Sequence, residues 1–144
     1  MTSAIHLAVA CLALVVLTFA VGARLLYVRT MEMREKRVHP QTASTSIQMA
    51  AKLQNVQAAD NFRNLFETPV LFYSLAAVAI ASGYTPAWLA LGAWVYVGLR
   101  AAHSFIHCTY NRVMNRFAAF GLGFMLLVCL WVAFIVGLVS KSAA

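Results

Sequence analysis

Acidic residues are almost missing from this chain: four of its 144 residues are Asp or Glu, against eleven Lys or Arg. Charged residues of both signs make up only 10%, while 62% are hydrophobic. An average soluble domain carries roughly 25% charge, so that class is excluded. Cysteine is scarce too, with three residues in all. Cys11 and Cys129 fall in apolar runs, where a thiol behaves as a small hydrophobe, and Cys108 falls at a predicted helix end. No disulfide framework follows from them. No motif interleaves basic with aromatic residues, so the net charge of +7 does not point to nucleic acid. Few acids also leave a metal centre poorly supplied. His103 and His107 have the i, i+4 spacing of a helical ligand pair and Glu67 could join them, but their neighbours are cationic.

What the chain has in abundance is long uncharged stretches. Residues 4–23, 68–99 and 117–140 contain no Asp, Glu, Lys or Arg. The middle stretch exceeds one membrane span and is broken by GYTP at 83–86. There Gly83 suits a helix C-cap, Thr85 an N-cap and Pro86 a first helical turn. The prediction is an all-α integral membrane protein, one bundle of four transmembrane helices at about 4–28, 62–82, 86–107 and 117–139. A cleaved signal peptide is not favoured, because no Lys or Arg precedes the first apolar run and Arg24 and Arg29 follow it. The connection at about 29–61 holds Arg29, Arg34, Lys36, Arg37 and Lys52, and the third connection holds Arg112 and Arg116. Both basic connections share one side, predicted to be cytoplasmic, with both termini outside an inner or plasma membrane.

Polar residues collect where the second span begins. Helical composition from Ser46, with Ser46 or Thr45 as N-cap, predicts one long helix from 46 to 82, kinked by Pro69. On it Asp60, Asn64 and Glu67 share a face by i, i+4, i+7 spacing, and Arg63 sits one turn before Glu67. On the third helix Arg100, His103 and His107 share a face in the same way, with Ser104 at its edge. Glu67 and Arg100 lie at similar depth, about 7–10 Å inside the cytoplasmic surface, which predicts an Arg100–Glu67 ion pair. Several guanidinium and amide groups beside a carboxylate suit a small zwitterionic anion, and a neighbouring Arg favours a thiolate.

Two segments, NFRNLFETPVLFY at 61–73 and RAAHSFIHCTYNRVMNR at 100–116, resemble the MAPEG family, membrane-associated proteins in eicosanoid and glutathione metabolism. The resemblance implies a homotrimer, with glutathione between subunits near the cytoplasmic face and a hydrophobic small molecule entering from membrane lipid. It implies Arg116 as the catalytic, thiolate-stabilising residue. It implies glutathione-binding roles for Arg34, Asn64, Glu67, Arg100, His103 and His107. Asp60 stands where the family pattern has Arg, a reversal of charge that would repel a glutathione carboxylate. Arg63 lies three positions on, about 60° away around a helix. His107 falls where relatives often have Tyr, and Phe117 where some have Ser.

Two functions follow as expectations. One is a glutathione-dependent transferase or peroxidase acting on hydrophobic electrophiles. The other is a non-catalytic binder of lipid, small molecule or protein that does not use glutathione. A small four-helix exporter of cationic drugs fits less well, because such carriers place an acid deep in helix one and residues 4–23 hold none.

Overall fold

A computed structural model describes residues 2–143. The described residues are helical and contain no strand. The uncharged runs become α1 (Ser3–Glu35), α4 (Thr68–Ala81), α5 (Ala87–Cys108) and α6 (Val113–Ser142); α2 (Ser46–Lys52) and α3 (Gln57–Asn64) are short and lie between α1 and α4. Four helical segments are long and apolar enough to cross a membrane, with α3 and α4 together forming one of them. The protein is an integral multi-pass membrane bundle.

Its outside is as apolar as its inside. Phe19, Leu26, Leu122, Met125 and Val136 are all exposed, as a surface facing lipid chains requires. The interior is distinguished by small residues and close packing. Leu7, Ala10 and Leu14 of α1 meet Phe72, Ala76 and Ala79 of α4, Ala93 and Tyr96 of α5, and Leu127, Leu130 and Phe134 of α6. Phe72 stacks on Tyr96 with ring centroids 5.0 Å apart. Where hydrocarbon surrounds the helices, such packing replaces the hydrophobic effect as the source of association. At Gly92 a Cβ would collide with the Leu130 side chain. Gly92→Val is therefore expected to destabilise the α5–α6 contact by about 1–3 kcal/mol, read as a lowered unfolding temperature in detergent.

Turn chemistry shapes the connections. Gly83, predicted as the end of the second span, adopts φ +66° just after Ser82, the C-cap residue that ends α4, a conformation glycine takes without steric cost. α5 is preceded by Pro86 in extended conformation, so Pro86 and not Thr85 is the residue before the first turn. Thr45 caps α2: its Oγ1 accepts from Gln48 N at 3.2 Å, and Gln48 Oε1 accepts from Thr45 N at 3.3 Å.

The predicted continuous helix from 46 to 82 is not present; three helices replace it. The first break has a tertiary cause. Glu32, 4% exposed on the last turn of α1, accepts hydrogen bonds from Gln54 N at 2.6 Å, Asn55 N at 3.0 Å and Asn55 Nδ2 at 3.1 Å. It also pairs with Lys36 at 2.7 Å. Those backbone donors are thereby drawn out of a helical ladder, and Leu53 turns extended at φ −109°, ψ 140°. Glu32→Gln turns one acceptor oxygen into a donor against these N–H groups. It is expected to cost about 1–3 kcal/mol locally and to speed trypsin cleavage at Lys52, which digestion time courses would measure.

The second break is local. Pro69, in the first turn of α4, lacks the N–H that would bond Leu65. Residues 65–67 tighten instead: Phe66 N bonds Arg63 O at 2.9 Å and Glu67 N bonds Asn64 O at 3.4 Å. Glu67, at ψ −85°, is the hinge residue before α4.

Candidate functional site

One face of α5 changes character along its length. Leu89, Ala93 and Tyr96 are buried in the apolar core; the same face continues through Arg100, His103, Ser104 and His107, all buried. Burying four polar side chains on one helix requires partners, and these come from α3 and α6.

From α3, Asn61 is fully buried, receives a hydrogen bond from Ser104 Oγ at 3.3 Å through its Oδ1, and donates from Nδ2 to Cys108 Sγ at 3.3 Å. Arg100 Nη2 donates to the Asn64 carbonyl at 3.1 Å, at the point where α3 ends. Its guanidinium also lies 5.5 Å from the centre of the Phe120 ring of α6, a cation–π contact. The Arg100 Nε has no partner.

From α6, Arg116 reaches back over the start of its own helix. Its Nη1 donates to His107 Nε2 at 2.9 Å and to Asn111 Oδ1 at 2.9 Å. Since guanidinium only donates, His107 Nε2 is bare and its proton sits on Nδ1. The carbonyl of Arg116 accepts from His103 Nδ1 at 3.2 Å, so His103 carries its proton there. His103 Nε2 and His107 Nδ1 are buried without partners. Asn111 holds the intervening turn at φ 44°, a conformation Asn tolerates better than most residues.

These groups line a cleft of about 330 Å³ formed by Asp60, Asn64, His103, His107 and Arg116, with Val113, Phe117 and Phe120 as its apolar wall. The cleft adjoins the N-terminus of α6, where no side chain caps the first turn. Open N–H groups and a guanidinium make this end favourable for an anion.

The predicted site residues divide accordingly. Asn64, His103, His107 and Arg116 come together in the cleft, and Arg100 stands behind it. Asp60 is there too, at its rim. Glu67 is not among the lining residues and is exposed. The expected Arg100–Glu67 pair does not form, and Arg63 makes no ion pair with Glu67 either; among the described residues the ion pair is Lys36–Glu32. The reason is the break at 65–67, which ends the face that Asp60, Asn64 and Glu67 would share on a continuous helix. Arg34 lines a separate cleft with Met33, Arg37 and His39, and Arg63 another with Arg29 and Leu53.

The sequence pattern counts Asn61 in the polar cluster but gives it no site role, and it does not mark Phe120. Asn61 lies at i+3 from Ala58 and i−4 from Leu65, both buried, and that spacing was its signal. Phe120 lies one turn after Arg116, with nothing local to mark it.

A four-helix membrane bundle with a polar cleft between its second, third and fourth spans defines the class. The sequence pattern of the MAPEG family matches residues 7–136, and the chain belongs to that family. No curated protein and no solved structure gives a match.

Proposed function

We propose that the cleft between α3, α5 and α6 binds a thiol of the glutathione class as its thiolate and delivers it to a hydrophobic electrophile from the bilayer. The observation that carries this reading is Arg116 at the cleft wall beside the uncapped first turn of α6. Both favour negative charge at one place.

The donor set matches part of glutathione. Arg116 and the α6 N–H groups suit a thiolate, the Asn64 amide suits a peptide group, and Asp60 suits the ammonium. Two carboxylates then need cations, and within one chain Arg34 and Arg63 stand in other clefts. A homotrimer, which the family resemblance implies, would let a neighbouring subunit bring such cations to the cleft. Bound glutathione would supply the nucleophilic sulfur. Arg116 would hold negative charge at that atom, and His107 and Asn111 would keep its guanidinium in place. His103 is a positioning residue: its bond to the Arg116 carbonyl ties α6 to α5. Val113, Phe117 and Phe120 offer an apolar wall against which a hydrophobic substrate can lie. We place the cleft at the cytoplasmic face, on the side of the basic connections.

A second reading is a binder without this chemistry, whose ligand carries a cation and no glutathione carboxylates. Asp60 at the rim favours it. Calorimetric titration of glutathione into the folded oligomer separates the two. Saturable binding, weakened by both Asn64→Ala and Arg116→Ala, supports the thiol reading. Absence of binding at millimolar glutathione overturns it in favour of the second.

A further inference from the structure

On the far side of α5 from the cleft, α1 and α5 leave a groove of about 300 Å³ open along the outside of the bundle. Its walls are Leu17 and Ala20 of α1 and Ala101 and Phe105 of α5. Phe105 is 65% exposed, so the groove faces outward and not into the core. The groove exists because Ala20 and Ala101 end at Cβ where longer side chains would fill it.

One end of this groove is charged. Arg24 is the first charged residue after the uncharged run 4–23, and it lines the groove together with Cys108 and Thr109 at the end of α5. Arg24 Nη2 donates to the Cys108 carbonyl, one of the last-turn carbonyls that a helix leaves unpaired. That bond uses one of five guanidinium N–H groups. Arg24 forms no ion pair among the described residues. The chain therefore presents, at the edge of its apolar belt, a cation without a counter-charge at the head of an apolar channel running towards the bilayer centre.

We infer that this groove holds an anionic phospholipid, with its phosphate on Arg24 and one acyl chain along Leu17, Ala20, Ala101 and Phe105. Charge complementarity selects the headgroup, and the orientation of the channel selects a molecule already lying along the bilayer normal. A helix-capping role for Arg24 alone would stabilise α5 without any preference among lipids.

The test uses the full chain in detergent, titrated with dioleoylphosphatidylglycerol or dioleoylphosphatidylcholine, with bound lipid counted by native mass spectrometry. Phosphatidylglycerol is expected to bind at least about fivefold more tightly, the size of one basic residue acting on an anionic headgroup. Arg24→Gln should erase that preference and Arg24→Lys should keep most of it. Ala101→Phe, at an exposed position, should fill the channel and weaken both lipids; Ala20→Leu reads the same point should that variant not fold. Arg112→Gln, an exposed cation outside the groove, should change nothing. An unchanged preference in Arg24→Gln, or an equal loss in Arg112→Gln, overturns the assignment.

Discussion

Truncating Arg100 to alanine is expected to be the most destabilising single change in the bundle, at about 3–5 kcal/mol. The side chain is 1% exposed, so its removal opens a cavity that α3 and α6 close only in part. The Asn64 carbonyl also loses its bond at the helix break, keeping only the longer one from Glu67 N. Arg100→Met separates these effects. It retains most of the volume and removes a buried cation that has no carboxylate partner. Replacing buried charge by a packed apolar residue is often neutral or stabilising. The expected result is that Arg100→Met unfolds within a few degrees of the wild type or above it, and Arg100→Ala far below. Thermal unfolding in detergent, followed by circular dichroism, measures both. Equal loss in the two variants would make the guanidinium itself a structural tie.

Arg116→Ala is expected to lower the rate of thiol conjugation by about 10²–10³, the size of removing one preorganised donor from a developing or resident anion. Stability should change far less, since Arg116 is only half-buried and its partners His107 and Asn111 are polar groups near the cleft mouth. Arg116→Lys keeps the charge but cannot serve two acceptors with one planar fork, so an intermediate rate is expected. The readouts are steady-state conjugation of a hydrophobic aryl halide and the ultraviolet absorbance of the bound thiolate. A full rate in Arg116→Ala would remove the proposed chemistry from this cleft.

The long uncharged runs made the membrane helices and their order legible, and the Gly83 turn was readable because its cause is local. The cleft was legible as far as helical spacing reaches. His103 and His107 lie one turn apart on α5, and the motif resemblance linked them to Asn64 and Arg116. What spacing missed depends on residues distant in sequence. Nothing local marks Glu32, yet it breaks the helix at 53–56 by capturing Gln54 and Asn55. Depth alone brings Arg100 and Glu67 together only on an unbroken helix. Pro69 announced a kink, but a kink and a full break send Glu67 in different directions, and only the tight bonds at 65–67 distinguish them.

That break has a consequence for bilayer thickness. α4 has 14 residues, about 21 Å of rise, against a hydrocarbon layer of about 30 Å. Its neighbours α1 and α6, with 33 and 30 residues, have length to spare. The second span therefore reaches full length only together with α3, which draws residues 65–67 below the headgroups, where the Glu67 carboxylate resists. A thicker membrane therefore pulls on the elbow that carries Asn64, and through its carbonyl on Arg100.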